Sequence, residues 1–396
     1  MLQSFNLGGD GKSTAFKRDI LKYFVANGNS TILELAKDAS LSVPTVSKTV
    51  AELLEMGYVK EYGKQEAGEG RRPNLYGLNP ESGYFVGVEI KEGFVNLGLM
   101  NFRGDLVELD DNVPCRIDNT MQSVDELCSL VTDFINKTDV DCSNILNATF
   151  CISGRVNSES GYSHTLYNFS EQPLTNLLSE RIGYPVCIEN DTRAFAYGEY
   201  MKGAVEGEKN VLFVNVSWGL GLGIILGGEL YKGKSGFAGE FGHTHMFDND
   251  ILCHCGKKGC LETEASGSAL QRKVRERIEA VESSFLTKRE GDIYSLDNII
   301  DAVNSEDPLC IDVIEQIGLK LGESVANLIN IFNPELVVIG GVLARTGDFL
   351  LQAVAASVRR YSLSIVNKDT RLCLSKLHER GGIIGCCLLA RKSLLG

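Results

Sequence analysis

The tightest constraint on this chain is the stretch from Gly239 to Glu262. It reads Gly-Glu-Phe-Gly-His-Thr-His and, seven residues later, Cys-His-Cys-Gly-Lys-Lys-Gly-Cys-Leu-Glu. Cys253, Cys255 and Cys260 fall within eight residues, and His243 lies ten residues before the first of them. Three thiolates and one imidazole fill the four positions of a tetrahedral Zn²⁺ and leave none open, so the predicted role is structural. Closing such a loop brings Glu240 and Glu262, which flank the ligands, toward each other. Paired carboxylates suit a polyhydroxylated ligand, because charge-assisted hydrogen bonds to hydroxyls are stronger than neutral ones. The plain alternative is a reduced, glycine-rich turn whose glutamates are merely solvated.

Composition sets the class of chain around this motif. At 396 residues it exceeds one typical domain, and 43% hydrophobic with 23% charged residues is the balance of a soluble globular protein. No window reaches the roughly eighteen uncharged apolar residues of a membrane span, and no such run opens the sequence, which predicts a cytoplasmic protein without a membrane partner. Several of the twelve cysteines, Cys151, Cys187, Cys310, Cys386 and Cys387 among them, sit singly in apolar runs, as reduced thiols used as small hydrophobes do. The net charge of −13 is uneven: residues 1–78 hold 10 Lys and Arg against 9 Asp and Glu, and the remainder holds 29 against 43. The acidity therefore argues against nucleic acid binding only for the larger part.

Phe16, Ile20, Leu21, Phe24 and Val25 repeat at helical spacing up to a stop at Asn27-Gly28. Thr31 and Glu34 form a capping box for a second helix, and a short turn at residues 40–42 leads to a third, in which Pro44 is tolerated in the first turn. Two short helices joined by a tight turn after a first one describe a helix-turn-helix. The third helix is expected to expose Thr45, Ser47, Lys48 and Thr49 near the end that enters a major groove in this motif. Strands at 58–62 and 74–78 around Gly68, Gly70, Arg71 and Arg72 form a wing whose arginines can reach phosphates or a narrow minor groove. Operator DNA contacts are accordingly expected from Pro44, Thr45, Ser47, Lys48, Arg71 and Arg72. The plain alternative is a helical bundle for protein contacts. The first dozen residues read as a lead-in or a capping arm.

From Tyr84 the pattern becomes strand, strand, strand, helix, strand, ending at Ile152, which is the order of half an actin-like domain. A second set begins near Asn210 and reaches the strand Leu336–Ile339 beyond the cysteine loop. The expected division is a winged helix over 1–80, a first actin-like half over 81–200, and a second half over 201–396 that carries the zinc loop 239–262. Between the two, the strand from Pro185 ends at Asn190-Asp191 before a helix. A carboxylate there can accept a proton from a sugar hydroxyl, or Asp191 can simply be the helix N-cap.

These pieces together resemble the ROK family of repressors and kinases along nearly the whole chain. The resemblance rests on Gly-Glu-x-Gly-His at 239–243 and Cys-x-Cys-Gly-x-x-Gly-Cys-Leu-Glu at 253–262. It implies an α/β fold class, an N-terminal winged helix-turn-helix plus two actin-like domains of the ribonuclease H-like, sugar-kinase type. It also implies sugar contacts from Asn190, Asp191, Glu240, His243 and Glu262, and a structural zinc on His243, Cys253, Cys255 and Cys260. Members with a winged helix repress carbohydrate genes, and those without one are mostly sugar kinases. The kinases turn their first strand pair through Asp-x-Gly-Gly-Thr, where backbone amides approach phosphate, but this chain has Glu89-Ile90-Lys91-Glu92-Gly93. The Thr-Gly-x-Gly turn becomes Trp218-Gly219-Leu220-Gly221, and Gly340-Gly341 remains.

The expected function is thus a regulator, not an enzyme. It binds operator double-stranded DNA and a sugar or sugar phosphate, as a homodimer or homotetramer. The alternatives are an ATP-dependent sugar kinase with an appended DNA-binding domain, using Asp191 as base, and a zinc-stabilised scaffold with a vestigial sugar site.

Overall fold

The apolar spacing near the N-terminus does produce three helices, α1 (Gly11–Asn27), α2 (Ile32–Asp38) and α3 (Val43–Glu55), with a short strand β1 (Ser30–Thr31) before α2. In this computed structural model the described residues are 5, 7, 8, 11–64, 73–288 and 292–395. The capping box forms as its sequence requires: Thr31 accepts from the Glu34 amide, and the Glu34 carboxylate accepts from the Thr31 amide at 2.7 Å. Ser42 caps α3, with Pro44 in its first turn. Strands β2 (Val59–Lys64) and β3 (Asn74–Leu78) pair antiparallel, with β1 on the other side of β3. Arg71 and Arg72, at the expected wing tip, lie outside the described residues.

Two units account for the chain: Met1–Gly154 with Ser160–Glu189 and Cys386–Gly396, and Arg155–Glu159 with Asn190–Gly385. In the first, β4 (Tyr84–Ile90), β5 (Phe94–Asn101) and β6 (Leu106–Pro114) form an antiparallel meander. Helix α4 (Met121–Lys137) then carries the chain to β7 (Ile145–Ile152), which lies parallel to β4. Two short strands follow, β8 (Val156–Asn157) and β9 (Tyr162–Ser163), then α5 (Leu174–Ile182) and β10 (Val186–Asn190). The sheet order is β10-β7-β4-β5-β6.

The second unit starts with α6 (Asp191–Lys202) and repeats the design with β11 (Val211–Val216), β12 (Leu220–Leu226) and β13 (Glu229–Leu230). Helices α7 (Gly267–Glu279), α8 (Leu296–Asn304) and α9 (Pro308–Phe332) lead to β14 (Leu336–Gly340), parallel to β11. Helices α10 (Asp348–Tyr361) and α11 (Ser364–Asn367) precede β15 (Arg371–Leu374), and the last helix is α12 (Gly381–Leu395). The order β13-β12-β11-β14-β15 matches the first sheet strand for strand. The expected repeat is therefore one of topology: a meander, then two crossovers to parallel strands. Glu199, fully buried on α6, ties the far end of this sheet together by accepting from the amides of Ala204 (3.0 Å) and Leu377 (2.7 Å) and from the Ser375 hydroxyl.

Within the first unit the winged helix shares one apolar cluster with the sheet. Leu21, Val46, Val50 and Leu53 continue into Phe85, Phe102, Leu146, Ala390 and Leu395. Phe5, Tyr58, Phe102 and Phe85 form a contiguous aromatic row with ring centroids 5.1 to 6.2 Å apart. Leu7 is buried, and its carbonyl accepts from the Lys17 ammonium at 2.9 Å, which also pairs with Glu52 at 2.9 Å. The described residues ahead of α1 thus act as a packed arm. No helix among the described residues is long and apolar enough to cross a membrane.

Candidate functional site

The cysteine loop closes as the donor set demands. The ligand atoms of His243, Cys253, Cys255 and Cys260 all lie within 4.8 Å of one another. Cys253 Sγ is 3.6 Å from His243 Nδ1, and the Cys255 and Cys260 sulfurs are 3.7 Å apart. Bonds of about 2.3 Å to sulfur and 2.0 Å to nitrogen give tetrahedral edges of roughly 3.5–3.8 Å, so these residues fit a zinc ion. The backbone turns sharply through Gly256 and Gly259, both at positive φ, and a Cβ at Gly259 would lie 2.2 Å from the Phe247 carbonyl. Burial pushes the Cys253 thiol up to about 12. At Cys255 the same effect is outweighed by the Lys257 amide and the neighbouring thiols, and its pKa falls below the ordinary value.

The segments that carry the candidate sugar residues pack against three residues of β12. The Leu220 amide donates to Glu262 Oε2 at 2.9 Å. A Cβ at Gly242 would lie 2.4 Å from the Leu220 carbonyl, and one at Gly239 would lie 2.0 Å from that of Leu222, so both glycines permit close packing beside Glu240 and His243. At Gly221 a Cβ would meet the Thr192 hydroxyl at 2.4 Å, which seats the start of α6, and with it Asn190 and Asp191, on the same stretch. Glu240 approaches His243 Nε2 at 3.9 Å while Nδ1 faces the thiols, so one imidazole presents different nitrogens to the carboxylate and to the cluster.

Two features depart from the sequence reading. The α6 cap is Asn190, whose side chain accepts from the Arg193 amide at 3.1 Å. Asp191 is the first helical residue, and its Oδ1 accepts from the Thr192 amide at 2.7 Å and the Asn190 amide group at 3.0 Å. Thr49, expected on the exposed face of α3, is buried and donates to the Thr45 carbonyl at 3.2 Å, because its position falls between Val46, Val50 and Leu53 on the apolar stripe. Pro44, Thr45 and Lys48 are exposed and Ser47 is half-buried. Glu89 is buried, but its charge is compensated by Lys91 at 2.7 Å and by the Asn96 amide at 2.9 Å.

Other residues at the site escaped sequence reasoning. Arg193, buried on α6, donates to the carbonyls of Gly236 and of Val156 (2.9 Å) and so anchors the approach to Glu240. Arg155 stands 3.8 Å from Glu240. His254 donates to Glu262 Oε1 at 2.7 Å. A lone Arg among the small and aromatic residues of α6 was the one available signal for Arg193. Leu41 and Val43 are exposed beside the start of α3, where apolar side chains can meet thymine methyls.

Two units of matching α/β topology, the first of which carries a winged helix-turn-helix, define a DNA-binding protein built on the sugar-kinase fold. The chain belongs to the ROK family, whose model matches residues 95–393, and a winged helix-turn-helix DNA-binding model matches residues 14–60. It is 30% identical over 380 residues to a putative xylose repressor of Caldicellulosiruptor sp. (strain Rt8B.4), covering 95% of each chain. Among solved structures, a ROK family transcriptional regulator homologous to the Escherichia coli Mlc protein superposes with a TM-score of 0.82 at 28% identity, covering 98% of this chain and 97% of that one. A ROK family glucokinase from Streptomyces griseus, solved with glucose and AMPPNP, gives 0.69 at 28% identity, covering 78% of this chain and all of the other.

Proposed function

We propose that the chain is a sugar-responsive transcriptional repressor of carbohydrate genes. Its winged helix holds operator DNA through Pro44, Thr45, Ser47 and Lys48, with Arg71 and Arg72 on the wing. A sugar or sugar phosphate bound by Asn190, Asp191, Glu240, His243 and Glu262 alters that hold. The observation that carries this reading is a likeness to a repressor over nearly the full length, winged helix included, in a chain where Glu262 accepts from the Leu220 amide and Glu240 stands 3.9 Å from His243. Zinc on His243, Cys253, Cys255 and Cys260 fixes the loop that carries Glu240 and Glu262. With four protein ligands it has no open position for a substrate. The domain limits are taken as 1–80, 81–200 and 201–396. The protein acts in the cytoplasm as a homodimer or homotetramer, whose winged helices read half-sites at a fixed separation, so that a change in spacing releases DNA. For the sugar to act as inducer it binds the DNA-incompetent arrangement more tightly.

We read the chain as a non-enzyme. The glucokinase likeness and Asp191 favour the kinase alternative. Against it, the amides of Gly267 and Ser268 at the start of α7 already donate to the carbonyls of Ser217 (2.7 Å) and Trp218 (3.0 Å), and an indole stands where kinases have a hydroxyl. The test is calorimetric titration with monosaccharides, their phosphates and Mg-ATP, with ATP turnover and operator binding followed on the same samples. One sugar binding without ATP binding, and shifting operator affinity, supports the sensor. Sugar-dependent ATP consumption puts the kinase first, and operator binding indifferent to every sugar leaves the scaffold.

A further inference from the structure

Trp218 is the chain's one tryptophan, and it is 52% exposed. It walls a cavity of about 260 Å³ with Leu252 and His254 from the cysteine loop, Glu262 and Thr263 after it, and Arg272 on α7. Leu252 is 69% exposed, so the cavity joins two accessible apolar surfaces to a buried carboxylate. At ~30 Å³ per water the space is roughly nine water volumes, which one pyranose ring can fill. Arg272 does not make the cavity an anion site: its guanidinium is committed to the Thr263 carbonyl at 2.9 Å and to Glu276 at 3.1 Å. An indole face, an imidazole and a carboxylate, with the nearby cation already neutralised, match a neutral polyol better than a phosphate.

The cavity adjoins the residues proposed for the sugar. Glu240 lies 3.9 Å from His243, the His243 and His254 rings are 5.0 Å apart in an edge contact, and His254 reaches Glu262 at 2.7 Å. We propose that the Trp218 cavity is a second sugar subsite, so that the preferred effector is a glycoside of at least two rings. One ring sits with Asn190, Asp191, Glu240, His243 and Glu262, and the next stacks on Trp218 with its hydroxyls on His254 and the same Glu262. This rests on the sugar-sensor reading and specifies the ligand class of that site.

The single indole supplies the readout. Full-length protein is titrated with xylose and xylobiose, glucose and cellobiose, and N-acetylglucosamine and diacetylchitobiose, by calorimetry and by tryptophan fluorescence. For the matching pair, the disaccharide binds roughly tenfold more tightly than its monosaccharide, near the upper end of one aromatic stacking contact, and it alone shifts the emission. Trp218→Ala brings the ratio of the two affinities close to one, and Trp218→Phe retains part of it, with thermal unfolding confirming that both variants fold. Equal affinities without an emission change, or a ratio that survives Trp218→Ala, overturn the second subsite while the one-ring sensor stands. No binding by any saccharide of either length removes both.

Discussion

Phe102→Ala tests whether the winged helix is a tethered module or part of the first unit's core. Phe102 is fully buried, and its ring lies 5.6 Å from Tyr58, 6.2 Å from Phe5 and 5.9 Å from Phe85. Removing a core Phe costs about 3–5 kcal/mol, and aromatic pairs add ~0.5–1.5 kcal/mol each beyond area, so the upper half of that range, about 4–5 kcal/mol, is expected. Against a typical stability of ~5–15 kcal/mol this is a large fraction. Because Leu21, Val46 and Leu53 share a cluster with Phe85 and Leu146, the winged helix and the first sheet should lose stability together. Urea unfolding is followed by far-UV circular dichroism and by operator binding. Both midpoints should fall in parallel with m unchanged. A wild-type winged helix that melts separately, a loss below ~1 kcal/mol, or a shift in only one signal would refute the shared core. Phe102→Leu, which keeps most of the apolar volume, should show the same coupling at smaller cost.

If zinc holds the loop as proposed, Cys255→Ser should lower bound zinc and sugar affinity together while operator binding without sugar stays within about twofold, because the four candidate ligands lie outside the winged helix; metal analysis and calorimetry that match wild type would remove zinc from the account. Lys48→Ala, at an exposed position on α3, should weaken operator binding and reduce the slope of log affinity against log salt by about 1 if it meets a phosphate, and an unchanged slope would exclude that contact. Burial raises the pKa of Asp307, but the amides of Cys310 and Phe285 and the Ser284 hydroxyl outweigh it and hold the carboxyl below the ordinary value. The stability it contributes is therefore present above its unfolded pKa of ~3.9 and is lost as pH falls through the lower folded value. Asp307→Asn should flatten that acid limb in thermal unfolding, and an unaltered acid limb would refute the role.

Much of the fold was legible because its elements carry local signals. The capping box at Thr31 and Glu34, the helix over 121–137 and the strand over 145–152 form where periodicity and turn residues place them. The gathering of His243, Cys253, Cys255 and Cys260 was legible for a different reason, since Cys and His at that spacing have few other uses. What sequence could not supply is long-range. Nothing local says that Ala390 and Leu395 pack with the winged helix, or that Cys386 donates to the Val88 carbonyl at 3.8 Å. Asp191 and Asn190 are both good caps, and only the backbone decides that Asn190 takes the position. Thr49 shows that a hydroxyl on a recognition helix can be a core residue when its own turn accepts the proton.

The glycine pair at 340–341 has a structural reason of its own. A Cβ at Gly340 would lie 2.1 Å from the Phe195 ring, and Gly341 sits at φ +85 with its missing Cβ 2.4 Å from Asn215 Oδ1. Packing alone requires both, so their presence is compatible with a protein that binds no nucleotide. The position of Trp218 is more informative. Its carbonyl and that of Ser217 take the amides that open α7, which satisfies two of that helix's first donors. The indole, meanwhile, is left half-exposed beside Glu262 and His254. The α7 amides and Glu262 thus tie the Ser217–Leu220 turn to the segment that follows the cysteine loop.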